Sequence, residues 1–224
     1  MKKNQLAVSL PDLKQNLPTC IACQCGKQSR LPFPQKSTWR SSHKLQIVHT
    51  DVRGPQRTPS LKGSKYYIAF IDDYTRYCWI FFLNFKSKVA DVFWKYKALV
   101  ENQSGAVMQV IRTDNDTEYT FERFNNLCEE AGIEYQLTAP YTPQENGVVE
   151  RKNRTIMEMT RCLLHKKGLP KKFWVEVANI AMFLLNRLPT KSLQKKTPFE
   201  AWFGYKPLLL NLKTFGCLCF CYVP

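Results

Sequence analysis

The alternation of apolar and polar positions divides the chain into short strands and longer helices. Residues 66–73 and 77–83 are rich in β-branched and aromatic side chains and flank the turn residues 73–76, which predicts a β-hairpin. Apolar runs of similar character lie at 45–51, 108–114 and 133–137. Helical periodicity is found at 88–102, 121–131, about 147–167, 173–187 and in a short turn beyond Pro198, before a last predicted strand at 215–223.

Strands that come first in a hairpin and then alternate with helices are typical of the α/β class with a mixed sheet. The sequence therefore predicts a mixed five-stranded sheet flanked by helices. Three regions follow from this pattern. Residues 1–44 are an irregular basic arm interrupted by prolines, 45–168 form the core, and 169–224 form a C-terminal helical extension with a final strand.

The charge of the chain narrows the choice of partner. There are 33 Lys and Arg against 18 Asp and Glu, which gives a formal charge of +15. Residues 1–65 and 146–224 each carry +10, whereas residues 66–145 carry −5. Nucleic acid is the partner that such a basic protein most often neutralises, and cations beside a phosphate backbone would offset the acidic middle. The alternative is a solvated acidic helix face, to which Glu118, Glu122, Glu129 and Glu130 could contribute.

Other protein classes are disfavoured. No apolar run approaches the roughly 18 residues of a membrane span, and no signal-peptide stretch follows Met1, so we expect a soluble intracellular protein. Nine cysteines in a reducing compartment indicate buried thiols or metal ligands, and we expect no disulfide framework.

Three acidic residues occupy positions where catalytic groups are expected. Asp51 and Asp114 each finish a predicted strand, and Glu150 lies in the first turns of the long helix. Three convergent carboxylates without basic partners repel one another, and Mg²⁺ or Mn²⁺ relieves that repulsion. Two such ions stabilise both oxygens of an in-line phosphoryl displacement. The alternative is that each aspartate only forms a turn or a cap.

Three motifs extend this argument. They are His49-Thr50-Asp51-Val52-Arg53-Gly54-Pro55, the run 112–119 around Asp114, and the run 139–151 that ends Val149-Glu150-Arg151, with 35 residues between Asp114 and Glu150. In order and spacing the chain resembles, from about Cys20 to Pro224, the integrase core of copia-type long-terminal-repeat retrotransposons, a relative of retroviral integrases.

The resemblance implies a ribonuclease-H-like fold, two Mg²⁺ or Mn²⁺ ions, and the cutting and joining of DNA by transesterification. Asp51 would bridge both metals, Asp114 would bind one and Glu150 the other. The chain would be part of a Pol polyprotein that processes transposon DNA ends and joins them to target DNA in the nucleus, as a homo-oligomer when complete.

The long helix carries candidate DNA contacts. At ~100° per residue, Arg154 and Arg161 lie within roughly 40° of Glu150, and Arg151 and Lys152 add further cations. The alternative is an ordinary ion pair between Glu150 and Arg154 on a solvated helix. Tyr141 and Gln144, in the loop before the helix, are candidate contacts to bases or phosphates.

Two departures from the family favour a second hypothesis. Cys20 and Cys23 have the spacing of a zinc knuckle, but no histidine precedes them, so we do not expect zinc, even with Cys25 as a substitute ligand. Asp116 stands where family members usually have glycine. A catalytically silent DNA-binding or assembly module from a decayed retrotransposon is therefore the alternative function.

Overall fold

A computed structural model describes residues 40–113, 121–137, 147–194, 196–210, 212 and 215–216. The strands are β1 Ile47–Arg53, β2 Tyr66–Asp72, β3 Cys78–Leu83, β4 Val110–Thr113 and β5 Glu134–Leu137. The helices are α1 Val89–Ser104, α2 Phe121–Glu130, α3 Gly147–Lys166, α4 Trp174–Arg187 and α5 Pro198–Phe203. Single 3₁₀ turns, Lys86–Lys88 and Lys171–Phe173, precede α1 and α4.

The five strands form one mixed sheet in the order β3-β2-β1-β4-β5. β2 pairs antiparallel with both β1 and β3, whereas β4 pairs parallel with β1 and with β5. The predicted hairpin and the predicted mixed sheet flanked by helices are thus confirmed. β1 is the middle strand, and its first five residues are buried.

Two hydrophobic cores cover the two faces of this sheet. On one face, Val48, Phe70 and Ile111 pack with α1, where the ring of Phe70 stacks on Tyr96 with centroids 4.1 Å apart. On the other face, alternate residues of β2 pack against α3 and α4, and Trp174 is the large aromatic side chain at the start of α4. Because strand side chains alternate, His49, Asp51 and Arg53 share the face of β1 that α3 covers.

Asn186 fixes α4 to the outer edge of the sheet. Its Nδ2 donates to the backbone carbonyl of Cys78 at 2.8 Å, and its Oδ1 accepts from the Cys78 N–H at 3.0 Å. The amide therefore serves as the neighbour that the edge strand β3 lacks at this position. Asn186 is only 3% exposed, so no water replaces it readily.

The sequence patterns located these elements to within a few residues, with one correction. β1 continues to Arg53, so Asp51 lies inside the strand and the prediction that it ends the strand is wrong. The strand continues because Val52 and Arg53 pair with Ile68 and Tyr67 of β2, and the Arg53 side chain pairs with Asp51 on the same face. Residues 217–223 of the predicted strand at 215–223 lie outside the described residues. The division of the chain into three regions stays a prediction. Among the described residues no helix is long and apolar enough to cross a membrane.

Asn186→Ala should destabilise the domain by roughly 2 to 4 kcal/mol, because two buried backbone groups of Cys78 lose their partners. Asn179→Ala is the matched control: Asn179 is exposed on the same helix, and alanine there should stabilise by about half a kcal/mol through helix propensity. Urea unfolding of both variants measures the difference. Equal stability of the two variants would show that Asn186 does not hold the edge of β3.

Candidate active site

Asp51 is a buried carboxylate in the middle strand of the sheet. Its side chain is 2% exposed, and Asn153 of α3 donates from Nδ2 to Oδ2 of Asp51 at 2.8 Å. Arg53 forms an ion pair with the same oxygen through Nε at 2.5 Å. A buried charge needs this kind of pairing and hydrogen bonding to be tolerated. The carboxylate is thereby held in one orientation between β1 and α3.

Glu150 lies in the first turn of α3, three residues before Asn153 and therefore on the same side of the helix. Its side chain is 41% exposed, and its Oε1 accepts from Arg154 Nη2 at 2.9 Å. The ordinary ion pair that the sequence left open between these two residues is therefore present. Asp51 is therefore buried beneath α3, whereas Glu150 lies on α3 with its side chain partly exposed to solvent.

Both described candidate acids have an arginine partner, which for Glu150 is the alternative that the sequence left open. On a strand, residues two apart share a face, which brings Arg53 to Asp51. On a helix, residues four apart are neighbours, which brings Arg154 to Glu150. Local periodicity alone supplies both cations.

Several predicted site residues fall outside the described part of the chain. They are Asp114, Tyr141, Gln144, Cys20 and Cys23. Within the described residues, no three His, Cys, Asp or Glu side chains form a group that could hold a metal ion. Of the three candidate acids, the described residues thus include Asp51 and Glu150.

The candidate DNA-binding cations of α3 divide into two kinds. Arg151, Arg154 and Arg161 are exposed, so all three guanidinium groups can reach a ligand in solvent. Lys152 is half-buried, and burial lowers its pKa; the Cys78 thiol and Arg76 are the neighbouring groups that act on it. Lys152 is therefore less accessible to a ligand in solvent than the three arginines.

A second buried polar group lies on the same face of β1, centred on His49. Its Nε2 is 3.1 Å from Oδ1 of Asp73, and Arg76 Nη1 is 2.9 Å from the same oxygen. The backbone N–H of Ser41 donates to the other oxygen of Asp73 at 2.9 Å. The adjacent Asp72 accepts from the backbone N–H of Leu45 and from Thr75, whose hydroxyl is 2.6 Å away. These contacts tie the turn after β2 to the beginning of β1.

Burial and charge shift the pKa values of these groups in different directions. Burial raises the pKa of Asp72, although its hydrogen bonds oppose the change. Burial acts in the same sense on Asp73, but the hydrogen bond to His49 and the charge of Arg76 outweigh it and lower the pKa. Burial lowers the pKa of His49 despite the neighbouring Asp73 carboxylate. His49 is therefore a neutral, buried hydrogen-bonding residue at neutral pH.

Sequence reasoning missed both Asn153 and the Asp73 network. Asn153 occupies a buried position of α3 between the apolar residues Val149 and Ile156, and a lone asparagine in an apolar stripe is the signal that could have found it. Asn153 Oδ1 and His49 Nδ1 are both buried, with no hydrogen-bond partner among the described residues.

Comparison with known proteins defines the class of this domain. Residues 41–143 match the family described as integrase core domain. The chain overlays a chain of the simian T-cell lymphotropic virus intasome, solved in complex with PP2A regulatory subunit B56 gamma, with a TM-score of 0.64 at 17% identity; the overlay covers 91% of this chain and 69% of that one. It overlays the HTLV-2 integrase catalytic core domain in complex with magnesium, in its trimeric form, with a TM-score of 0.54 at 19% identity, covering 73% and 99% of the two chains. The fold is the ribonuclease-H-like fold of integrase catalytic cores.

Sequence relatives identify the branch. The chain is 42% identical over 205 residues to the retrovirus-related Pol polyprotein from transposon TNT 1-94 of Nicotiana tabacum, which covers 92% of this chain and 15% of that protein. It is 37% and 35% identical to the Pol polyproteins from transposons RE2 and RE1 of Arabidopsis thaliana, over 95% and 90% of this chain and 14% of each relative. Residues 41–143 belong to the integrase core domain family, and the chain is related to retrotransposon Pol polyproteins, of which it spans only a small part. The resemblance found in the sequence is confirmed.

Lowering the pH from 7 to about 5.5 should destabilise the domain through His49. In an unfolded chain histidine titrates near 6.5, whereas burial, helped by the charges of Arg112 and Arg76 and opposed by Asp73, lowers the pKa of His49 in the native state. Below pH ~6.5 the unfolded state therefore binds a proton that the native state does not, and the free energy of unfolding falls by up to about 1.4 kcal/mol per pH unit.

Thermal unfolding at several pH values of the parent, His49→Gln and His165→Gln checks this expectation. His165 is exposed near the end of α3, so its replacement should leave the pH dependence of the parent unchanged. The His49→Gln protein should lose much of that dependence between pH 5.5 and 7. An equally steep dependence in all three proteins would assign the effect to other groups.

Proposed function

We propose that this domain is a polynucleotidyl transferase that processes the ends of transposon DNA and joins them to target DNA, with Asp51, Asp114 and Glu150 as its catalytic acids. The observation that carries the proposal is the buried Asp51 carboxylate of the middle strand, whose Oδ2 accepts a hydrogen bond from Asn153 Nδ2 at 2.8 Å. A carboxylate fixed in this way, next to a helix with exposed arginines, suits the handling of a phosphodiester.

The donor chemistry around Asp51 fits a hard divalent cation. Mg²⁺ and Mn²⁺ prefer carboxylate and amide oxygens, and the buried Oδ1 of Asn153, which lacks a hydrogen-bond partner among the described residues, adds an acceptor beside Asp51. The HTLV-2 integrase core, a structure of similar fold, was solved in complex with magnesium. Asp51, Asp114 and Glu150 would hold two such ions here. When bound, the ions would stabilise the charge on the attacking and leaving oxygens of the phosphodiester.

The register of the sheet supports the inclusion of Asp114. β1 and β4 run parallel, and His49 pairs with Arg112. Asp51 follows His49 by two residues, and Asp114 follows Arg112 by two residues. A continued register would bring the two aspartates opposite each other, at the rim of the sheet where open α/β proteins place functional groups.

The arginines around the site have distinct proposed roles. Arg53, whose side chain is 44% exposed, neutralises Asp51 and can exchange this carboxylate for a DNA phosphate. Arg154 and Arg161, both exposed on α3, would bind phosphates on either side of the reacting bond, together with Arg151. Lys152, Tyr141 and Gln144 remain proposed contacts, Lys152 only if DNA draws it out of its half-buried position.

The complete protein is proposed to act on DNA in the nucleus as a homo-oligomer. The HTLV-2 integrase core was solved in trimeric and dimeric forms, and the simian virus structure is an intasome. The dimeric and trimeric forms support self-association of this domain, and the intasome supports DNA as its partner.

One observation favours a second candidate function, a catalytically silent DNA-binding or assembly module. Asp51 and Glu150 already have arginine partners, so their charges are compensated without a metal ion. In that case the fold and the basic surface persist while the acids serve only stability. Mn²⁺-dependent nicking of duplex DNA by the parent protein separates the two candidates.

Glu150→Gln should abolish nicking with little change in stability. The substitution keeps the shape of the side chain and removes the charge that a second ion requires, and loss of several kcal/mol of transition-state stabilisation lowers the rate by about two or more orders of magnitude. Lost attraction to Arg154 should cost no more than about 0.5 kcal/mol. Glu158→Gln, exposed on the same helix, is the matched control and should nick like the parent. Full nicking by folded Glu150→Gln protein would remove Glu150 from the active site.

DNA binding should depend strongly on salt and hardly on DNA sequence, because exposed cations bind the phosphates of the backbone. Arg154→Ala combined with Arg161→Ala should reduce the slope of log K against log salt by about two, as each lost phosphate contact reduces it by roughly one. Lys95→Ala combined with Lys191→Ala removes the same charge from exposed positions elsewhere and should leave the slope unchanged. Fluorescence anisotropy with a labelled duplex measures both. Identical slopes for the two double variants would move the DNA path off α3.

A further inference from the structure

A loop that follows β1 lies against the turn that precedes α4. The backbone N–H of Leu61 donates to the carbonyl of Lys172 at 3.2 Å, which joins segments that are far apart in the sequence. The turn, Lys171–Phe173, continues directly into Trp174, whose ring packs on Tyr67 and Phe82 at centroid distances of 6.3 and 5.4 Å. The loop and the turn are therefore both anchored on the sheet.

The loop itself is internally braced. The N–H of Gln56 donates to the carbonyl of Lys65 at 2.7 Å, and the N–H of Ser64 donates to the hydroxyl of Ser60 at 2.9 Å. Gly54 starts the loop with φ +137°, and a Cβ there would come within 2.6 Å of the Lys65 carbonyl oxygen. Side chains on this loop are thus presented from a fixed backbone.

The charged residues exposed on the loop and the turn are all cationic. Five exposed residues define it, and we refer to them as the basic collar: Arg57, Lys62, Lys65, Lys171 and Lys172. The neighbouring sequence, 53–71 and 166–175, contains no Asp or Glu. Repulsion among like charges on a braced backbone destabilises the isolated domain, and a bound polyanion relieves this repulsion.

The basic collar continues from the candidate active site. β1 runs from Asp51 through Arg53 directly into the loop, and Arg53 pairs in register with Tyr67 of β2. Asp51, Arg53 and Arg161 all lie close enough to the Tyr67 hydroxyl to influence its pKa, which burial raises. Cations therefore follow β1 from Arg53 beside Asp51 into the collar.

We infer that the basic collar is a second phosphate-binding surface, which holds the backbone of duplex DNA beyond the phosphodiester at Asp51. This inference rests on the proposed function and adds a segment of the DNA path that α3 does not supply. Because α3 ends at Lys166, Lys171 and Lys172 are not part of this helix, and the carbonyl of Lys172 accepts from the loop instead. DNA fits better than an acidic peptide because the exposed charged residues of the collar are all Lys or Arg, which bind phosphates, and Leu61 is the one large apolar side chain exposed on the loop 54–65.

The test compares three versions of the 224-residue chain in the anisotropy assay. Arg57→Ala, Lys62→Ala and Lys171→Ala together should reduce the slope of log K against log salt by about two to three. Lys95→Ala, Lys191→Ala and Lys206→Ala remove the same charge from exposed positions outside the collar and should reproduce the parent slope. A collar variant with the parent slope overturns the inference, as does an equal loss in both triple variants, which would reflect net charge alone.

Protection of lysines from acetylation provides a readout that needs no variant to fold. With duplex DNA bound to the parent, mass spectrometry should show Lys62, Lys65, Lys171 and Lys172 protected at least severalfold relative to Lys95. Equal modification of these lysines with and without DNA overturns the inference. If the Arg154 and Arg161 double variant changes the slope while the collar variant does not, only the collar fails; if neither changes it, the proposed DNA-binding function fails with it.

Discussion

The burial of one carboxylate, Asp51, in the middle strand is the constraint on which the site depends. An ionised carboxylate at 2% exposure without partners would cost several kcal/mol, so the fold must bring donors to it. Asn153 supplies one from α3 and Arg53 supplies the other from the strand itself. The hydrogen bond from Asn153 fixes how α3 lies across β1, and that placement in turn sets Glu150 and the exposed arginines beside the strand.

The same face of β1 contains two buried polar groups with different tasks. His49 and Asp73 pair away from solvent and join the turn after β2 to the start of β1, where Arg76 compensates the aspartate. Asp51, two residues further along, has a partly exposed cation, Arg53, as its charge partner. A partner that can leave is compatible with a carboxylate that exchanges ligands during a reaction, whereas Asp73, whose partners His49 and Arg76 are themselves mostly buried, is suited to structure. The exposed cations on α3 and on the basic collar then face solvent on this side of the sheet.

Periodicity predicted most of the fold, because each strand and helix has a buried face of the required repeat. The hairpin, the mixed sheet and the bounds of α1, α3 and α4 followed from residues that contact near neighbours. Most of what failed depended on contacts distant in sequence. Asparagine and histidine are usually assigned to the surface, so Asn153 and His49 were not recognised as buried hydrogen-bonding residues. The contact of Lys172 with the loop after β1 was not predicted either, since nothing local indicates that its carbonyl accepts from the backbone N–H of Leu61. The end of β1 was misplaced because a charged Arg53 suggests a loop unless its pairing with Asp51 is known.

The central claim is that Asp51 anchors a divalent cation in an integrase-type active site. The most direct test is an anomalous difference map from crystals of the chain grown with Mn²⁺, collected together with crystals of Asp51→Asn. The account predicts a peak within coordination distance of the Asp51 carboxylate and of Asp114, with Arg53 turned away, and no peak there in the variant. A map that shows Arg53 still paired with Asp51 at saturating Mn²⁺, without a peak at the carboxylate, would contradict it.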